Sequence, residues 1–261
     1  MRTAALLLGL LLLSPPVRAA VDPATFQSLA FRQHPGAQLP LDAEIQDSAG
    51  RPLSLASALG GKPAVVVLEY LHCNNLCSLV LSGTVRGIAG AGLTPGRDLN
   101  LVAISIDPRE TARDAAAAQA MYAKRFPDPV TAAPGVRFFT GSPGEVRKIA
   151  EAIGFPYRYD RQSNQFLHPA GVIVTTPTGT ISRYLLGLDP EPAQLKTAVA
   201  EAAQGEVKPP AHPLLCLCFG YDPDEGSVAA LTWQLVRWAS LALVLACVAL
   251  VGLLSLRRAK A

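Results

Sequence analysis

Two cysteines four residues apart, Cys73 and Cys77, are the part of the sequence best suited to chemistry. They follow an apolar run, Ala64–Tyr70, that predicts a buried strand, and a helix-like pattern begins just after them, near Ser78. In open α/β sheets, sites form beyond the carboxyl ends of strands. The free N–H groups and the positive dipole end of a helix N-terminus favour thiolate over thiol. Because the thiolate binds metals and attacks disulfides, this position indicates metal or redox chemistry.

A metal held by two thiolates needs a third ligand, and histidine is the candidate. Soft sulfur ligands select Cu(I), Zn or an iron–sulfur cluster. His168 precedes an apolar run that begins at Gly171, and in a doubly wound sheet such a loop can fold back near the Cys73 loop. His72 adjoins the first cysteine, but neighbouring side chains on an extended strand end diverge, so we interpret it as a tuner of the thiol pKa. His34 stands in a Gln-His-Pro-Gly pattern and is predicted to be an exposed turn residue.

The same cysteine pair admits other interpretations. In an exported domain such a pair is more often a disulfide than a metal site. A thiol–disulfide oxidoreductase is a further alternative, although thioredoxin-type enzymes use Cys-x-x-Cys behind a Trp, and this chain has one residue more behind Tyr70-Leu71-His72. A peroxiredoxin has less support, because the Pro and Thr expected before its reactive cysteine are absent. His168 separates these hypotheses, since a copper site needs the histidine and a redox enzyme does not.

Residues 1–19 predict a signal peptide. Arg2 supplies the positive start, and Ala4–Leu13 supplies an apolar core that is too short to span a bilayer. Small residues then predict cleavage after Ala19. An uncleaved anchor is the alternative, and either way the body of the protein is expected outside the cytoplasm.

A second apolar run predicts a transmembrane helix over residues 233–256. Its central part, Trp238–Leu256, is about 19 residues or about 28 Å of helix, which matches the hydrocarbon core of a bilayer. Trp233 and Trp238 lie at one predicted interface, and the basic tail of residues 257–261 follows at the other. By the positive-inside rule the tail is cytoplasmic, and the domain lies on the periplasmic side of the inner membrane.

The remaining cysteines favour structural roles. The chain has five cysteines, too few and too clustered for a disulfide framework. Cys216 and Cys218 lie in a connector over residues 206–232, where a second copper-relay or redox pair near His212 is the functional interpretation. We favour an apolar strand-like segment, because alternate strand residues point to opposite faces and a Cys-x-Cys disulfide is strained. Cys247, inside the predicted span, is interpreted as a small apolar side chain.

Strand and helix patterns alternate through the body of the chain. Half of the 261 residues are apolar, enough for one substantial domain, and a net charge of +3 without a basic stripe argues against nucleic acid as a partner. A loose alternation over Leu41–Leu55 predicts a short hairpin. Strand–helix alternation followed by a hairpin and a helix predicts a mixed-sheet α/β domain. The predicted strands are Ala64–Tyr70, Leu99–Ile106, Val136–Thr140, Gly171–Thr175 and Ile181–Leu186, and the predicted helices begin near Ser78, Thr111, Ser142 and Glu191.

These motifs together resemble the Sco/SenC family of thioredoxin-fold copper-binding proteins. The resemblance covers about residues 25–205. It rests on Tyr70-Leu71-His72-Cys73-x-x-x-Cys77, on Ser105-Ile106-Asp107-Pro108 followed by Thr111, and on His168 before the hairpin. This set in this order is specific, whereas the Cys-x3-Cys pattern alone is not.

The resemblance implies a thioredoxin-like sheet in which Cys73, Cys77 and His168 bind copper, as Cu(I) and as Cu(II). It further implies delivery of copper to, or reduction of cysteines at, the binuclear copper site of cytochrome c oxidase subunit II or another respiratory copper protein. The expected protein is therefore a metallochaperone, and thiol–disulfide reductase activity stays open. The connector over residues 215–223, followed by a span, is similar to a bacterial branch with a C-terminal membrane anchor.

The chain departs from the family pattern beside its cysteines. The family often has Pro after each cysteine, whereas Asn74 and Ser78 stand here. This difference removes no ligand but changes the expected rigidity of the loop and the potential of the thiols. Pro169 follows the histidine at roughly the place where thioredoxins carry a cis-proline.

Overall fold

A computed structural model describes residues 28–71, 77–161, 164–210 and 238–240, without the side chains of Cys77 and Ser78. The predicted signal peptide, most of the Cys-x-Cys connector and nearly all of the predicted span lie outside these residues. Within the described part of the chain, no helix is long and apolar enough to cross a membrane. The elements in chain order are β1 Glu44–Gln46, β2 Pro52–Ser54, α1 Leu55–Leu59, β3 Ala64–Glu69, α2 Cys77–Gly90, β4 Asn100–Ser105, α3 Ala112–Ala123, α4 Pro129–Ala132, β5 Val136–Gly141, α5 Pro143–Ile153, β6 Arg158–Asp160, β7 Gln165–Leu167, β8 Gly171–Thr175, β9 Ile181–Leu186 and α6 Pro192–Ala203.

Seven of these strands form one mixed sheet in the order β2-β1-β5-β4-β3-β8-β9. β3, β4 and β5 run parallel and are joined through α2 and α3, as parallel neighbours require a crossover. β8 is antiparallel to β3, and β9 is antiparallel to β8. A parallel strand–helix half joined to an antiparallel hairpin is the thioredoxin-like arrangement, so the predicted thioredoxin-like mixed sheet with flanking helices is confirmed.

The central strand, β3, is buried along its whole length. Its six residues and the six of β4 are all buried, as expected for parallel strands that are covered on both faces. Val66 and Leu68 face a first core that α1 and α5 cover. Val65 and Val67 face a second core, covered by α2, α3 and α6, because successive side chains of a strand alternate between faces.

The predicted strands and helices of the body agree with the structure to within about two residues, which is the usual uncertainty of element ends. The short hairpin predicted over Leu41–Leu55 is formed by β1 and β2. The segment before Gly171 is different, because the sequence predicts a loop and the structure has β7 paired with β6 in a separate two-stranded sheet. Strands of three residues are too short for the alternating pattern to be recognised in the sequence.

Glycines let α2 approach the loop that follows β9. A Cβ on Gly83 would lie 2.1 Å from the carbonyl oxygen of Leu188, and a Cβ on Gly87 would lie 2.7 Å from that of Pro190. Arg86, on the same helix, forms an ion pair with Asp189 at 3.2 Å. Because α2 begins at Cys77, this contact fixes the helix that carries the second cysteine.

We expect Gly83→Ala to lower the free energy of unfolding by about 2 kcal/mol, because a forced contact with backbone costs about 1–3 kcal/mol and outweighs the gain in helix propensity. Gly144→Ala is the matched control, since a Cβ at that helical glycine meets nothing within 4 Å. The control should leave stability unchanged or slightly higher. Urea unfolding of the two variants measures the difference, and equal midpoints would show that α2 can move away from the loop at no cost.

Candidate functional site

The pairing of β3 with β8 brings the segment before Gly171 to the carboxyl end of β3. The strands are antiparallel and Val66 faces Ile173, so each step forward along β3 corresponds to a step back along β8. The chain before Gly171 therefore returns towards the residues that follow Glu69. His168 lies in this returning segment, directly after β7.

The imidazole of His168 packs between two aromatic rings. The ring of Phe155, just beyond α5, stacks on it with centroids 5.4 Å apart and an interplanar angle of 27°. The ring of Tyr70 meets it edge-on at 6.1 Å and 88°. Phe166 of β7 packs on the other side of this group, 5.6 Å from Tyr70. Tyr70, whose ring contacts this imidazole, precedes Cys73 by three residues in the sequence.

A hydrogen bond to the neighbouring backbone fixes which imidazole nitrogen carries the proton. Nδ1 of His168 lies 2.9 Å from the carbonyl oxygen of Pro169. A carbonyl oxygen can only accept, so Nδ1 is the protonated nitrogen and Nε2 carries the lone pair. The peptide bonds of the described residues, including His168–Pro169, are all trans. Metal-binding histidines commonly have this arrangement, with the second nitrogen bonded to a carbonyl group.

Burial lowers the pKa of His168 below its ordinary value of 6.5, and the hydrogen bond to the Pro169 carbonyl opposes this shift. The protonated imidazole would lose hydration among the surrounding rings, which is why burial disfavours the charged form. The side chain is therefore neutral at neutral pH. Neutral imidazole is the form that binds a metal ion.

The structure describes the three predicted ligands to different extents. His168 lies at the carboxyl end of β3, and Cys77 is the first residue of α2. Cys73 and the neighbouring His72 lie outside the described residues. Among the side chains that are described, no three His, Cys, Asp or Glu residues are grouped so that they could hold a metal.

His34 is separate from this group. It is exposed, and its carbonyl accepts from the amide of Ala37 at 3.0 Å, which confirms the predicted turn. Its amide donates to the hydroxyl of Tyr184 at 2.9 Å. That hydroxyl in turn donates to the carbonyl of Ile153, the last residue of α5, so the arm before β1 is tied to the fold through a buried tyrosine.

The turn after β4 lies against the end of β3. The amide of Ile106 donates to the carbonyl of Glu69 at 2.8 Å, which continues the parallel pairing by one residue. Asp107 follows, and its amide donates to the hydroxyl of Ser105 at 3.1 Å. Its buried carboxylate accepts hydrogen bonds from the backbone amide and the guanidinium of Arg109, the shortest at 2.7 Å from Nη2 and 2.8 Å from Nε. Asp107 thus follows the end of β4 near the candidate site, and its carboxylate is bound by Arg109.

Sequence reasoning missed the side chains that surround His168. Phe155, Phe166, Arg109 and Tyr159 are not among the candidate residues that the sequence indicates. Tyr157 and Tyr159 alternate with charged neighbours, but this run is too short by itself to predict a strand. The contacts among these residues join segments that are distant in sequence, so only the topology reveals them.

A mixed sheet that holds a neutral histidine beside the strand leading to two cysteines defines a thioredoxin-like protein with a candidate thiol–imidazole site. The SCO1/SenC family profile matches residues 44–204, more than half of the chain, and the chain therefore belongs to this family. No curated protein matches the sequence in a direct comparison.

Solved structures share the fold of this chain. A protein from Aquifex aeolicus VF5 is 27% identical, with a TM-score of 0.56, over 66% of this chain and 95% of its own. A SCO1/SenC family lipoprotein from Bacillus anthracis str. Ames is 17% identical, with a TM-score of 0.53, over 67% and 99%. Arabidopsis thaliana ScoI, crystallised with copper bound, is 20% identical, with a TM-score of 0.50, over 66% and 98%. The last two likenesses concern the fold.

The depressed pKa of His168 makes stability dependent on pH. Below pH 6.5, the ordinary pKa, His168 binds a proton more readily in the unfolded chain than in the folded chain. The contribution of neutral His168 to the free energy of unfolding is therefore fully present above pH 6.5 and is lost as the pH falls towards the pKa of the folded state. We expect the free energy of unfolding of the metal-free protein to decrease from about pH 7.5 to about pH 5 less steeply in His168→Gln than in wild type. Urea titrations across this range, in the presence of a chelator, measure both profiles. Parallel profiles would show that His168 does not resist protonation in the fold.

Proposed function

We propose that the protein is a copper metallochaperone for the assembly of the copper site of cytochrome c oxidase. Cys73, Cys77 and His168 are its proposed ligands. The observation that carries the proposal is the position of His168, whose imidazole packs on Tyr70, three residues before Cys73. Membership of the SCO1/SenC family supports it, as does the copper bound in the Arabidopsis thaliana neighbour.

The chemistry of the three side chains suits copper as cargo. Two thiolates and a neutral imidazole are soft to borderline ligands, a combination that favours Cu(I). Cys77 begins α2, where the helix dipole stabilises a thiolate. Burial keeps His168 uncharged, so it binds metal without first releasing a proton.

The proposed setting is the outer face of the inner membrane. The domain over residues 25–205 faces the periplasm, and the connector over 206–232 joins it to a span over 233–256 with a cytoplasmic tail. A domain tethered in this way is confined near the extracytoplasmic surface. Subunit II of cytochrome c oxidase, or another respiratory copper protein, is the proposed recipient there.

The test is Cu(I) binding by the reduced full-length chain, with Cys216 and Cys218 changed to Ser so that the connector contributes no thiols. We expect one Cu(I) per chain, and no tight binding after Cys73→Ser/Cys77→Ser. His168→Ala should weaken the affinity by about tenfold or more, because loss of even an outer-shell partner of a metal site costs about 10- to 100-fold. Competition with a chromogenic Cu(I) chelator measures the affinities.

His34→Ala is the matched control, since it removes an exposed histidine that lies in a separate turn. This control should bind Cu(I) as wild type does. If His168→Ala also binds as wild type does, the three-ligand site is wrong. A thiol–disulfide oxidoreductase that acts on cysteines of a partner protein would then be the better assignment, because thiol exchange does not need the histidine.

A further inference from the structure

The two halves of the candidate site belong to different sheets. The cysteines follow β3 of the seven-stranded sheet, whereas His168 follows β7 of the separate two-stranded sheet. The pairing of β3 with β8 brings these segments together but does not by itself hold β6 and β7 against the main sheet. A contact between the two sheets near the site is therefore needed to set the position of the imidazole.

Arg109 makes such a contact. On one side its guanidinium forms a fork with the carboxylate of Asp107, with Nε–Oδ1 at 2.8 Å and Nη2–Oδ2 at 2.7 Å. On the other side its central carbon lies 5.2 Å from the ring centroid of Tyr159 in β6 and 6.0 Å from that of Phe166 in β7. The carboxylate is buried, with 6% of its side chain exposed, and so provides a fixed anchor.

We propose that Arg109 is a positioning residue for His168. The turn after β4 is hydrogen-bonded to the end of β3 through Ile106 and Glu69. Arg109 joins this turn to β7, which ends one residue before His168. Phe166 transmits the contact, since its ring also packs on Tyr70 at 5.6 Å. This inference rests on the proposed function in so far as His168 is a copper ligand.

The chemistry of arginine explains why this residue type is needed. A guanidinium is planar, so it can share two hydrogen bonds with a carboxylate in its own plane while its face lies over an aromatic ring. An ammonium group can keep the charge but cannot make the fork. Arg109→Lys should therefore retain only part of the effect.

The chain contains a control for the loss of an Arg–Asp ion pair. Arg51 binds Asp47 in the turn between β1 and β2, with Nε at 2.8 Å and Nη2 at 2.7 Å from the same oxygen, Oδ2. Within the described part of the chain no aromatic ring lies over Arg51. Arg51→Gln thus removes an Arg–Asp ion pair elsewhere on the surface without disturbing the two-stranded sheet.

The first measurement is a double-mutant cycle on Cu(I) affinity in the full-length chain. We expect Arg109→Gln to weaken binding about two- to fivefold, equivalent to one exposed cation–π contact, and to have no further effect in the His168→Ala background. Tyr159→Leu should behave like Arg109→Gln, whereas Arg51→Gln should bind as wild type does. An equal loss in both backgrounds, or no loss in wild type, would overturn the proposal. Tyr159 is exposed, so Tyr159→Leu tests the idea even if Arg109→Gln folds poorly.

The second measurement is made on metal-free protein and separates this inference from the proposed function. Deuterium uptake of peptides covering residues 156–170 should be faster in Arg109→Gln and Tyr159→Leu than in Arg51→Gln, with the β3–β4 peptides unchanged. If His168→Ala leaves Cu(I) affinity intact, the proposed function fails, yet this faster uptake would still support the role of Arg109 in holding the histidine segment. Equal uptake in all variants would overturn that role, whatever the copper result.

Discussion

The antiparallel pairing of β3 with β8 is the contact on which the candidate site depends. It places the loop after one strand and the segment before the other at the same edge of the sheet. A shift of one residue in this register would exchange the two faces of β3, turning Val66 and Leu68 from the first core into the second. Packing on both faces therefore fixes the register, and the position of His168 follows from it.

Much of this fold can be predicted from the sequence because the strongest patterns coincide with the most buried elements. β3 and β8 are runs of β-branched and apolar residues, and β9 follows a turn that contains Gly179, with φ of +81°. The helix α5 has both of its ends marked, by the capping side chain of Ser142 and by Gly154 in the left-handed conformation. Local chemistry of this kind needs no knowledge of the topology.

The candidate site can be predicted only in part. Its proposed ligands can be recognised from their residue types, but the residues that pack around His168 cannot. Cys73, Cys77 and His168 stand out as side chains that bind metals. Phe155 has no such mark, and its stacking on His168 depends on α5 and the segment after β7 meeting above the first core. Arg109 is a surface residue in sequence terms, and its role depends on the two-stranded sheet, whose strands are too short to recognise.

The cysteine side and the histidine side of the site are held by elements of different cores. This matters because the chain lacks the prolines that the family often has after each cysteine. Proline after each cysteine would restrict the backbone there, and Asn74 and Ser78 impose no such restriction. Position must then come from packing: α2, which begins at Cys77, belongs to the second core, whereas Tyr70 and Phe155 beside His168 belong to the first. Contacts in separate cores share no partners, so disturbances of the helix and of the histidine should act on the site independently and their free energies should add. The site thus forms where the two cores meet, at the end of β3, which contributes side chains to both.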